Sequence, residues 1–134
     1  MPIHHVTLAT GRLNFKRMCN FYTLVLKPLG YSLTYDTDHT VGYTSKNGAS
    51  DFGLHAGPES SDTPDPSVAR IGAKTHVAFQ ADSREAVQDW YEVAIKAGGI
   101  SNGEPGERIE YAKGYYAAFI IDPLGNNIEA VCFE

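Results

Sequence analysis

The sequence repeats itself, and that constrains its fold more than any other feature. HVTLATGRLNFKRMCNFYTLVLKPLGY starts at His5, and HVAFQADSREAVQDWYEVAIKAGGI starts at His76. Each segment opens on His-Val in a short alternating run, passes through a polar turn and enters a stretch of helical period. Each helical stretch holds an aromatic–Tyr pair, Phe21-Tyr22 in one and Trp90-Tyr91 in the other. Each ends in glycine, at Gly30 and at Gly98-Gly99. The copies lie about half a chain apart. Self-similarity at a fixed offset is the signature of one supersecondary unit used twice.

Downstream of each helix the residues read as strands: YSLTYD (31–36), TVGYTSK (40–46) and DFGLHA (51–56) in the first copy, then ERIEYA (107–112), GYYAAFIID (114–122) and NNIEAVCFE (126–134) in the second. β-branched and aromatic runs bounded by turn residues support each one. Lys46-Asn47-Gly48 and Ala112-Lys113-Gly114 read as hairpin turns, and Asp122-Pro123-Leu124-Gly125 as a tight turn. GPESSDTPDPSVARIGA (57–73) reads as a linker. The expected organisation is a β-α-β-β-β module over 1–56, the linker, and a second module over 74–134, together one domain of the α+β class. The helices should pack on Phe15, Met18, Tyr22, Val25 and Leu26 in one copy and on Ala86, Trp90, Val93 and Ala97 in the other. Ser83 should cap the second helix, with Glu85 in its first turn.

Side chains alternate across a strand, so each strand sorts into two faces. Val6 and Leu8 lie opposite His5, Thr7 and Ala9. Val77, Phe79 and Ala81 lie opposite His76, Ala78 and Gln80. Phe52 and Leu54 lie opposite Asp51, Gly53 and His55. Ile128, Ala130 and Cys132 lie opposite Asn127, Glu129, Val131 and Phe133. One face is apolar and suits a helix; the other carries His5, His55, His76 and Glu129. Glu129 is conspicuous, because a carboxylate within an apolar strand needs a partner to stay ionised. If the polar faces meet in a cleft, His5, His76 and Glu129 form a metal-ligand set suited to Zn, Fe, Mn, Co or Ni, with positions left open for substrate. The adjacent His4 and His5, as strand neighbours, are expected to point apart.

These residues resemble the vicinal oxygen chelate superfamily, which includes glyoxalase I, extradiol dioxygenases, fosfomycin-resistance enzymes and bleomycin-resistance proteins. The likeness rests on HHVTL, NFY with LG after it, DFGLH, THVAF and AAFIIDPLGNNIEAV, and covers essentially the whole chain. It implies paired β-α-β-β-β modules in a cup-shaped, partly open mixed barrel around one divalent metal ion. It implies ligands at His5, His76 and Glu129, with Gly53 where glyoxalase I has a carboxylate, which speaks against lactoylglutathione lyase activity proper. It also implies a homodimer. The expected function is a metal-dependent lyase, isomerase or dioxygenase acting on a small oxygenated substrate held through vicinal oxygens. The alternative is a metal-free, bleomycin-resistance-like protein that sequesters a small aromatic ligand. His55 is the candidate general base, with Asp51 also on that face. Gln80, Tyr111 and Tyr115 are candidate substrate contacts; of Tyr115 and Tyr116 only one can face the cleft.

The net charge of −5 argues against nucleic acid and anionic membranes as partners. No apolar run approaches the roughly 18 residues of a membrane span. Two cysteines far apart, and no signal-like N-terminal segment, suggest free thiols in a reducing, cytoplasmic setting.

Overall fold

The computed structural model describes residues 3–46, 50–57 and 75–134. Apart from Lys46 and Gly57, the 46–48 turn and the 57–73 linker fall outside these residues. The first copy runs β1 (Val6–Ala9), α1 (Arg12–Val25), a short 3-10 turn (Lys27–Leu29), β2 (Ser32–Asp36), β3 (Thr40–Thr44) and β4 (Ser50–His55). The second runs β5 (His76–Gln80), α2 (Arg84–Lys96), β6 (Ile100–Glu107), β7 (Tyr115–Ile121) and β8 (Asn127–Phe133). The sheets have the orders β1-β4-β3-β2 and β5-β8-β7-β6. In each, the first strand lies parallel to the last, and the other pairings are antiparallel. Two similar β-α-β-β-β units are therefore present, and neither sheet closes into a barrel. No helix among the described residues is long and apolar enough to cross a membrane.

The two helices start differently. Ser83 Oγ accepts the Ala86 N–H at 3.1 Å, and Glu85 and Lys96 sit in the first and last turns, where their charges oppose the helix dipole. Helix α1 begins at Gly11, whose φ of 70° suits glycine, and its N-cap makes no side-chain hydrogen bond. Phe15, Met18, Tyr22 and Val25 of α1 and Leu26 after it are buried. In α2 the buried stripe is centred on Val87, Trp90 and Ala94, with Ala86, Val93 and Ala97 partly covered beside it.

One core serves both copies. Phe52 of β4 meets Phe79 of β5 with ring centroids 5.1 Å apart, Tyr22 lies 5.0 Å from Phe52, and Tyr31 lies 5.6 Å from Phe79. Burying one such side chain stabilises by roughly 1.5–3 kcal/mol, so this junction holds the copies together. A polar tie reinforces it. The Tyr22 hydroxyl donates to Asp122 Oδ2 at 2.6 Å, and the Leu124 and Asn126 N–H groups donate to Oδ1 at 2.9 Å. Asn126 Nδ2 donates to Oδ2 at 2.8 Å. Gly125, at φ 89°, closes the turn by donating its N–H to the Asp122 carbonyl at 3.0 Å. Burial, then the neighbouring Asp122 charge, pushes the Tyr22 hydroxyl well above its ordinary value.

Two expectations need correction. The strand expected over 107–112 lies earlier, at Ile100–Glu107, and residues 109–111 form a turn. ISNGEPGE looks unlike a strand because it holds two glycines and a proline. It is the edge of its sheet, where proline costs no ladder bond, and its pairing with β7 shifts register twice. His4 and His5 precede β1 rather than lying in it, and their Nδ1 atoms are 2.9 Å apart.

Candidate functional site

The site is assembled on the sheet faces turned away from the helices. Register fixes its centre: Glu129 pairs with Ala78 on one side and with Phe119 on the other. In the first sheet Thr7 pairs with Gly53, so Gly53 and Glu129 occupy the same place in the two copies. The Glu129 side chain is only 3% exposed although its face is open, because Tyr115, Phe119 and His76 crowd around it. The Tyr115 hydroxyl donates a short hydrogen bond to Glu129 Oε1. Burial, then that hydrogen bond and the carboxylate charge, pushes the Tyr115 hydroxyl up to about 12. Tyr111 and Phe133 stand edge-on to Tyr115, at 5.3 and 5.2 Å, as an aromatic fence.

His76 completes the cluster. Its Nδ1 lies 2.9 Å from the Asn127 carbonyl, which can only accept, so Nδ1 carries the hydrogen. That leaves the Nε2 lone pair aimed at Glu129 Oε2, 3.1 Å away. Two acceptors at that separation need a shared electrophile, either a proton on Nε2 or a metal cation. Imidazole and carboxylate also suit a divalent ion, and two ligands at about 2.1 Å meeting it at a right angle lie roughly 3 Å apart. In donor type and spacing the pair fits a metal; in number it falls short. Among the described residues no group of three or more His, Cys, Asp or Glu side chains is placed to hold one. His5 is exposed, and its ring faces His4.

The other expected site residues are placed as follows. His55 is exposed at the end of β4, and its Nδ1 accepts the Gly57 N–H at 2.9 Å, so Nε2 carries the hydrogen and is presented as a donor. Asp51 accepts the Ser45 N–H at 3.2 Å. Gln80 is exposed, paired in register with Val131. Tyr111 is 63% exposed in the turn after β6. Tyr115 faces the open side, while Tyr116 packs towards α2, accepting from Gln88 Nε2 at 2.9 Å. At Gly53 a Cβ would lie 2.9 Å from the Val41 carbonyl and 3.3 Å from Thr7 Oγ1, so a carboxylate side chain has no room without a backbone shift.

Sequence reading misses two residues of this face. Phe119 stacks on His76 at 6.4 Å and 23°, and Arg108 lies over its ring at 5.7 Å. Alternation along GYYAAFIID would have put Phe119 beside Tyr115. Arg108 was hidden by the misplaced strand.

The sequence profile of the Glyoxalase/Bleomycin resistance protein/Dioxygenase superfamily matches residues 2–130. No curated protein matches the chain. Among solved structures, a glyoxalase/bleomycin resistance protein from Albidiferax ferrireducens T118 is similar at 26% identity and a TM-score of 0.71, over 95% of this chain and 94% of that one. A glyoxalase/bleomycin resistance protein/dioxygenase family enzyme from Burkholderia phytofirmans PsJN is 21% identical, with a TM-score of 0.67 over 98% of both chains. A glyoxalase-related enzyme from Fulvimarina pelagi is 16% identical, with a TM-score of 0.68 over 98% of this chain and 87% of that one. At the last two identities the likeness is one of fold. The profile match spans nearly the whole chain and agrees with the paired modules, and the chain therefore belongs to the Glyoxalase/Bleomycin resistance protein/Dioxygenase superfamily.

Proposed function

We propose that the protein is a divalent-metal-dependent enzyme acting on a small oxygenated molecule, with His76 and Glu129 as two of its metal ligands. One observation carries this reading: the His76 lone pair and the buried Glu129 carboxylate face each other at 3.1 Å. Asn127 holds the imidazole in the tautomer that leaves Nε2 free, and Tyr115 holds the carboxylate from its other oxygen. The third ligand is His5, which stands in the first copy where His76 stands in the second. Because one chain does not bring His5 to the pair, it is supplied by a second copy, which makes the protein a homodimer with shared sites. The bound ion would polarise neighbouring oxygens of the substrate as a Lewis acid. The chain's own part is to fix ligand orientation, to fence the site with Tyr111, Tyr115 and Phe133, and to offer Gln80 and the His55 Nε2–H to substrate oxygens.

Protein purified without chelator should carry about one divalent ion per chain and sediment as a dimer. His5→Ala and Glu129→Gln should each lose the metal, and a mixture of the two variants should regain part of it, because mixed dimers rebuild one intact site. Metal-free, monomeric protein that gains no thermal stability from added metal would sink the reading.

A second reading has an observation of its own. Among the described residues one chain brings two donors together here, and a proton on His76 satisfies them as well as a metal does. The protein would then sequester a small aromatic ligand against Tyr111, Tyr115 and Phe133 without metal. Ligand binding that survives exhaustive chelation would favour it.

A further inference from the structure

The far edge of the same face is built around a cation that the metal reading does not use. Strand β6 carries Gly103 and Gly106, and its pairing with β7 shifts register on both sides of Gly103. A Cβ at Gly103 would come within 3.0 Å of the Phe119 ring and 3.3 Å of Arg108 Nη2, and one at Gly106 within 2.9 Å of Arg108 Nη1. The two glycines thus leave the space in which the guanidinium lies. Arg108 Nη2 donates to the Glu104 carbonyl at 2.7 Å and Nη1 to the Glu107 carbonyl at 3.2 Å, while the group sits over Phe119. Its orientation is therefore fixed, yet its charge is not neutralised: among the described residues it forms no ion pair with a carboxylate. The carboxylate of Glu107, its neighbour in the chain, is taken by Arg84 Nη2 at 2.8 Å. A guanidinium has five N–H groups, so three remain for a ligand.

Position decides which ligand. Gly103, Phe119, Glu129 and Ala78 form one cross-strand row. Neighbouring strands are about 4.8 Å apart, which sets the guanidinium roughly 5–10 Å from the Glu129 carboxylate. A small molecule spans that gap across the Phe119 ring. The Glu129 charge repels an anionic end, and Arg108 attracts it in the planar, forked geometry that suits carboxylate and phosphate oxygens.

We propose that Arg108 is the anion-recognition residue of this face, so that the molecule bound there carries a carboxylate or phosphate-type group held by its guanidinium beside Phe119, with its neutral oxygens towards His76 and Glu129. The inference rests on the reading of this face as the ligand site.

The test is an amide-resolved NMR titration of the whole chain with phenylphosphonate, benzoate and benzyl alcohol. Both anions should shift the Gly103, Gly106, Arg108 and Phe119 amides saturably and bind at least tenfold more tightly than the alcohol; the tighter anion identifies the class. Arg108→Gln should weaken both anions at least tenfold and leave benzyl alcohol unchanged, with Arg108→Lys between. Equal binding of all three probes, shifts confined to another surface, or anion binding unchanged in Arg108→Gln would each overturn the proposal. If Arg108→Gln does not fold, the wild-type footprint and the anion-to-alcohol ratio still decide. Metal content measured on the same samples separates the two ideas. Anion binding without metal keeps Arg108 and sinks the metal enzyme, and metal without anion binding does the reverse.

Discussion

The two copies share one plan and present different chemistry. On the open face of the first, Thr7, Ala9, Gly53 and Gly42 are small, and His5 and His55 stand exposed at the margins. On the open face of the second, Glu129 is buried among Tyr115, His76 and Phe119, and the Arg108 guanidinium lies over the Phe119 ring. Equivalent positions make the contrast sharp. Where the second copy has Glu129, the first has Gly53, and the Val41 carbonyl fills the space a side chain would need. The duplicated scaffold gives two like frames, and one of them carries the larger share of the polar machinery.

This comparison can be pressed at several points. The largest effect is expected at Asp122, through which the second copy grips the first copy's helix. Asp122→Ala would leave the Leu124 and Asn126 N–H groups and the Tyr22 hydroxyl without their acceptor. Buried unpaired donors cost about 1–3 kcal/mol each before relaxation, so a net loss of about 3–5 kcal/mol is expected by urea denaturation. A loss below about 1 kcal/mol would mean that the apolar junction alone joins the copies. Next comes the attempt to restore symmetry. Gly53→Glu should destabilise by about 1–3 kcal/mol through overpacking, read as a lower urea midpoint at unchanged slope. A variant as stable as the parent would show that the first face has room for a carboxylate after all.

Smaller effects separate the helices. Ser83→Ala should cost about 1 kcal/mol, because α2 depends on that cap, whereas α1 has no side-chain cap to lose. Thermal denaturation that leaves the Ser83→Ala melting temperature unchanged would remove this distinction. The finest probe is alkaline pH. The Tyr115 hydroxyl rises from 10.0 to about 12 on folding, so the folded state holds its proton more tightly than the unfolded chain. Its contribution is complete below pH 10 and is lost as pH rises towards 12. Tyr43 is likewise pushed up to about 12, mainly by burial, so the parent should lose stability steeply over that range. Tyr115→Phe should make the decline shallower, and an unchanged slope would show that the Tyr115–Glu129 contact contributes nothing in solution.

Legibility tracked how local each signal was. The helical stripes, the Ser83 cap and the DPLG turn are written in neighbouring residues, and all are found in the structure, as is the repeat. Alternation also puts Glu129 and His76 on the polar faces of their strands, because a strand's period is fixed by its backbone. Strand β6 was misread for a reason equally physical. Its proline suits an edge position, and Gly103 and Gly106 leave the space in which the Arg108 guanidinium lies, so the segment lacks the β-branched and aromatic run by which a strand is read. Tyr111, expected in that strand, is instead in a turn and meets Tyr115 from outside.

What the sequence determined by itself is the duplicated β-α-β-β-β plan and which faces of β1, β4, β5 and β8 are polar, since both follow from periodicity. What the tertiary structure decided is which polar residues meet. Parallel pairing of β5 with β8 carried His76 to Glu129 across 53 positions of chain, and the shared Phe52–Phe79 core fixed how the two copies join. The space that excludes a side chain at Gly53 was set by the Val41 carbonyl on a neighbouring strand. These outcomes depend on contacts between distant segments, whose energies appear only once the chain has closed on itself.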